Sequence, residues 1–180
     1  VALPTNFKAA RFQSDEDTKI LSQIQADIEA IRFDTGDEKV ELPVKLKVHD
    51  SVFVPLAKWA MLLTGNYRCV QQHDMRSIRD SVHSDMKMSA KVYEFVKQVC
   101  GKMGADMNDL VPFEKYANAA NGLVKPSSAA RALLAGAPNI ERADCLVKTI
   151  AAANGMQLDT VDETVATVDS WLERNRSKAE

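Results

Sequence analysis

The chain has 180 residues, 46% of them hydrophobic and 27% charged, with a formal net charge of −2. That length suits one domain with its own core, and the composition matches neither a disordered tail nor a membrane span. The charge lacks the basic footprint that a phosphate backbone requires, so nucleic acid is not an expected partner.

Residues 1–13 read as a loose linker. Ser14 then supplies an N-cap, with acids in the first turn and Ile20, Leu21, Ile24, Ile28 and Ile31 at helical spacing, predicting an amphipathic helix that ends near Gly36. Residues 43–54 fit two patterns. Val44, Leu46 and Val48 alternate with Lys45, Lys47 and His49 as in a half-buried strand, and the following HDS suits a hairpin turn. Val44, Val48, Val52, Leu56, Trp59 and Leu63 also form a stripe at steps of three or four. With helices on both sides, helix is the favoured reading, with a bend at Pro55.

Ile78, Val82, Met86, Val92, Tyr93, Val96, Val99 and Met103 predict one long helix from Met75 to Lys102, stopped by Gly104. A shorter helix is expected from Pro112 through Ala120, with proline in its first turn. KPSSAARALLAG has the form of a serine-capped helix closed by Gly136, and Ile140, Leu146, Val147 and Ile150 indicate another before Gly155. Thr160 and Glu163 have capping-box spacing, opening a last helix through Val161, Val165, Val168 and Leu172. The expected fold class is all-α.

Cys69, Cys100 and Cys145 are an odd, widely spaced set, which suits a reducing compartment better than a disulfide framework. Charge interrupts every apolar run short of the roughly 18 residues a spanning helix needs, and no charged-then-apolar leader is read at the start. A cytoplasmic location without a membrane partner is the expectation. The opening at Val1 fits processing or excision from something longer.

Cys69 and His73 stand four apart, but no second pair at metal spacing accompanies them, and no metal site is expected. Neither a Gly-rich phosphate loop nor G-x-S-x-G is present. His83 and Asp85 read as a helix surface, and Arg76 and Arg79 as solvated or paired with acids on the same helix. On a helix, Lys45 and His49 would be neighbours able to reach one substrate, and a partly desolvated lysine can donate a proton near neutral pH. The plainer reading is that Lys45, Lys47 and Lys58 snorkel from a half-buried helix.

VKLKVHDSVFVPLAKW resembles the W-x-K-L-x-V-N…N-P-L segment that opens the helical C-terminal domain of ketopantoate reductases. PSSAARALLAG, the I-E that follows and the later ANGM resemble that family's S-S-M…G-x-x-T-E-I-D…H-G-I region, in the same order and at about the same separation. Between them, MRSIRDSVHSDMKMSAKVYEFVKQVCGKMGAD resembles its long helix. The resemblance implies an all-α substrate and dimerisation domain over 14–180, of the 6-phosphogluconate dehydrogenase C-terminal type. Residues 1–13 would link it to a Rossmann domain outside these 180 residues. It further implies NADP as cofactor, a 2-keto acid or related carbonyl as substrate, and a homodimer.

The family's proton-donating lysine falls on Lys45, its serine on Ser127 or Ser128, and its glutamate on Glu141 if one residue is inserted. Its first asparagine is His49 here, its second falls at Phe53 or Val54, and its threonine lies in the neighbourhood of Asn139. Replacing two amides changes the hydrogen bonds offered to substrate, so a carbonyl other than ketopantoate itself is implied. The chain alone is not expected to transfer hydride. The competing expectation is a non-enzymatic helical interaction domain presenting Trp59 or Trp171 to a partner.

Overall fold

The computed structural model describes residues 5–178 and divides into two compact units, one ending at Leu56 and the other beginning at Ala57. This boundary replaces the one expected at residue 14. Residues 1–4 of the expected linker lie outside the described residues.

In the first unit, β1 (Thr5–Ala10) pairs in parallel with β4 (Val44–His49), in the register Phe7 to Leu46 and Ala9 to Val48. The segment read as linker therefore contains a strand. Between the two strands run α1 (Asp15–Ala30) and an antiparallel hairpin of β2 (Arg32–Asp34) and β3 (Lys39–Glu41). Ser14 Oγ accepts from the Asp17 amide, and three acids occupy the first turn, so α1 begins as its sequence indicates. It ends at Ala30, short of Gly36, because Ile31 turns extended and the chain enters β2. Gly36, at φ +93°, instead makes the hairpin turn.

The helix expected over 43–54 is a strand at Val44–His49, and not half of the hairpin considered as its alternative. Both periodicities were present in the sequence. Parallel pairing with β1 selects the period of two, with Val44, Leu46 and Val48 the more buried set. Gln25 of α1 accepts the Val48 amide at 2.8 Å.

The second unit is helical: α2 (Lys58–Met61), α3 (Ile78–His83), α4 (Met86–Lys102), α5 (Phe113–Ala120), α6 (Ser128–Leu134), α7 (Ala143–Ala153) and α8 (Asp159–Arg176). With α1 these make the chain mostly helical. The single helix expected from Met75 to Lys102 is two, because Asp85 turns its carboxylate to the Met88 amide at 2.8 Å and caps a new start. Gly104, at φ +102°, follows its end as anticipated. Pro112 is the N-cap of α5 rather than part of its first turn. The Thr160 capping box is absent: α8 starts at Asp159, and the Thr160 hydroxyl donates to Met88 Sδ at 3.2 Å.

The core centres on Tyr93, stacked on Tyr116 at 5.5 Å and tilted against Phe113 at 5.4 Å, with Leu63, Val82, Leu133, Val147, Val168 and Leu172 around them. Each ring hydroxyl finds a carbonyl, Val111 for Tyr93 and Met61 for Tyr116, so burying them strands no polar group. Burial pushes both phenols above the usual tyrosine range. After α2 the chain passes through a wide π-helical turn, Leu62–Asn66, and a tight turn, Tyr67–Cys69. Such turns rotate side chains out of the ordinary helical register.

Candidate functional site

Among the residues nominated by the sequence, Lys45 and His49 belong to the first unit, and Ser127, Ser128 and Glu141 to the second. On β4 the residues Lys45, Lys47 and His49 share a face, but four strand residues span about 13 Å, so Lys45 and His49 are not the close neighbours a helix would make them. Lys45 is 63% exposed, with Nζ 3.6 Å from Glu41, an ion pair of small worth in water. His49 is half-buried, and its carbonyl accepts the Arg11 amide at 2.9 Å.

Ser127 caps α6, accepting from the Ala130 amide at 3.1 Å and donating to the Asn66 carbonyl at 2.8 Å. Buried and committed in both directions, it is a structural residue. Ser128 is exposed. It shares with Glu141 a hollow of about 320 Å³ whose floor includes Leu62, Ala129, Ala132 and Ile140. Asn66, Tyr67 and Asn139 complete the polar rim. The π-helical turn brings Leu62 and Asn66 to this hollow, whereas the sequence offered TGN only as a turn.

Tyr67 holds the far wall. Its hydroxyl donates to the Glu141 carbonyl at 2.7 Å and accepts the Ala143 amide at 3.0 Å, fixing the backbone on both sides of Arg142. Burial pushes the phenol up to about 12 against the opposing bond from Ala143, so it stays protonated at neutral pH. Arg142 grips buried Asp144 at 2.9 and 3.0 Å and reaches Asp169 at 2.5 Å. Burial disfavours its charge, but these bonds outweigh that and raise its pKa. The hollow therefore offers hydroxyl and amide groups, one carboxylate and an apolar floor. Among the described residues of its lining there is no arginine or lysine.

The other candidates serve the fold. Cys69 is buried against the Gly65 carbonyl while His73 lies exposed in the bend beyond it, so the two do not share a helical face. His83 Nε2 lies 3.0 Å from the Ala117 carbonyl, and Asp85 is a cap. Trp171 donates to the Gln71 carbonyl at 2.7 Å under the Arg174 guanidinium, and Trp59 packs against the core, so both tryptophans are engaged within the chain. Among the described residues no group of three or more His, Cys, Asp or Glu could hold a metal ion, and no helix is long and apolar enough to cross a membrane.

The chain matches no protein-family model, no curated protein and no solved structure. Functional assignment thus rests on the hollow's chemistry and on the resemblance of its motifs.

Proposed function

We propose that the chain is the substrate-binding part of a ketopantoate-reductase-like, NAD(P)H-dependent oxidoreductase acting on a 2-keto acid or related carbonyl. The observation that carries this reading is the hollow in which Ser128 and Glu141 meet, joined by Asn66 and Asn139. Those are the residue types such a site uses to hold hydroxyl and carbonyl oxygens, over a largely apolar floor. Ser128, rather than Ser127, takes the serine's role.

The first unit supports the same reading. A crossover joining two parallel strands normally belongs to a larger α/β sheet covered on both faces. Among the described residues that sheet has two strands, and Phe7 is exposed. Such a sheet suits continuation into the dinucleotide-binding domain that hydride transfer requires. Lys45 keeps the proposed role of proton donor to the developing alkoxide.

The test begins with the coding sequence upstream of Val1, where a segment of roughly 120 to 180 residues with an early G-x-G-x-x-G between strand and helix is expected. The complete protein should then oxidise NADPH in the presence of a 2-keto acid. Glu141→Gln and Ser128→Ala should raise KM, and Lys45→Ala should lower kcat. A start codon directly before Val1, or a complete protein without carbonyl-dependent NADPH oxidation, overturns the proposal.

A further inference from the structure

The second unit holds two buried or half-buried cations without an acid. Arg68, on the turn Tyr67–Cys69, is 8% exposed, and its Nη1 donates to the Thr64 carbonyl at 3.3 Å and Ser89 Oγ at 2.8 Å. Arg76 is half-buried, with Nε donating to the Arg68 carbonyl at 2.9 Å and Nη1 to Ser84 Oγ at 3.2 Å. Every one of these acceptors is neutral. Among the described residues no ion pair reaches either guanidinium.

The nearby acids are engaged or remote. Asp85 caps α4 and Asp80 lies 3.6 Å from Arg79, so Asp85 acts on Arg68, and Asp80 and Asp74 on Arg76, only at longer range and without an ion pair. Burying a cation without a directly paired counter-charge is unfavourable, and a stitching role between neutral acceptors does not require a charge that a glutamine or methionine would avoid. Burial and then the second arginine depress the Arg68 pKa, and the raising effect of Asp85 is smaller than either.

The two arginines open together onto a hollow of about 230 Å³, lined also by Gln71, Thr160, Thr164 and Glu163. It shares no lining residue with the hollow of Ser128 and Glu141. Glu163 is exposed and pairs with neither arginine, so the lining carries two positive charges against one negative. The three threonine hydroxyls of the lining already donate elsewhere, Thr160 to Met88, Thr164 to the Thr160 carbonyl and Thr167 to the Glu163 carbonyl. The donors left are Nη2 of both arginines and Nε of Arg68, none of them sealed from solvent.

We propose that Arg68 and Arg76 form a binding site for a small oxyanion, a phosphoryl or carboxylate group, held by the guanidinium N–H groups that the fold leaves uncommitted. The uncommitted Nε and Nη2 of Arg68 make a planar fork that matches two oxygens of such a group, and Nη2 of Arg76 adds a further charged donor. The site stands independently of the oxidoreductase proposal, since its anion contacts neither Ser128 nor Glu141.

The test is thermal unfolding of the 180-residue chain in inorganic phosphate, acetate or chloride at fixed ionic strength and pH 7. A saturable rise in the midpoint over chloride is expected, and its occurrence in phosphate or in acetate separates the phosphoryl from the carboxylate ligand. Saturation distinguishes binding from the general salting effect of phosphate. Arg76→Gln should weaken the apparent affinity at least tenfold, and Arg79→Gln, on an exposed neighbour outside the hollow, should leave it unchanged. If Arg76→Gln does not fold, phosphate and acetate titrations of the wild-type arginine Nε–H resonances by NMR decide instead. No saturable effect of either anion, equal binding by Arg76→Gln, or unmoved Arg68 and Arg76 signals overturns the site.

Discussion

The two units of this chain turn similar local signals into different kinds of structure. In the first, α1 has a side-chain N-cap and acids in its first turn, yet it buries no residue. Ile20 is 62% and Phe7 55% exposed. In the second, α4 has the same kind of cap, but Val92, Tyr93 and Val96 disappear into a shared core. A cap and an amphipathic pattern nucleate a helix, whereas its stability comes mainly from the apolar surface it buries against other elements. The second unit should therefore unfold as a cooperative body, and the first should open at lower free energy.

The largest way to break that contrast is Tyr93→Ala. Removing the central ring leaves a cavity and abolishes two ring contacts, so a loss of ~4 kcal/mol is expected in urea unfolding. A loss under ~1 kcal/mol would show that this core does not govern the transition.

Arg142→Ala comes next, at ~3 kcal/mol, because it leaves Asp144 buried without its partner. An Arg142→Ala/Asp144→Ala double variant should be less destabilised than the sum of the two single changes, which a double-mutant cycle measures.

Gly65→Ala should cost ~2 kcal/mol, since the added methyl overlaps the Tyr116 hydroxyl. Adding Tyr116→Phe should recover part of that loss, and unfolding midpoints that show no coupling would refute the close approach.

A smaller, graded effect is expected at high pH. Tyr67 has a folded pKa raised to about 12 from 10.0, so the unfolded chain loses this proton first. Its contribution is fully present below pH 10 and lost as pH rises toward 12, by at most ~1.4 kcal/mol per pH unit for one proton. Tyr67→Phe should flatten that part of the stability profile.

Smallest of all, Ile24→Ala in the exposed part of α1 should change the unfolding free energy by less than ~0.5 kcal/mol. Amides of α1 and β4 should also exchange faster than those of α4. Equal protection across the two units would erase the comparison.

Much of the helical unit was legible from chain-local chemistry. Ser127 caps α6 as its position before an alanine-rich run suggests, and Gly104, Gly136 and Gly155 all take positive φ beyond helix ends. The break at Asp85 was obscured because Val82 and Met86 keep helical spacing across it, even though aspartate is a good cap. Half of the candidate site could be read from motifs, in Ser128 and Glu141. Asn66 and Tyr67 could not, because a π-helical turn displaces them from the register that a period of 3.6 assumes.

By itself, then, the sequence determined the start of α6 at its serine cap and the helix stops before Gly104, Gly136 and Gly155, through signals that act within a turn or two of the chain. Tertiary structure alone decided that Val44–His49 is a strand, because its partner Thr5–Ala10 lies almost forty residues earlier and hydrogen bonding across that separation leaves no local mark. It likewise decided that Ser128, Glu141 and Asn66 meet in one hollow while Arg68 and Arg76 meet in another. Spacing along a chain constrains neighbours on one element, but convergence between elements is set by how their apolar faces pack.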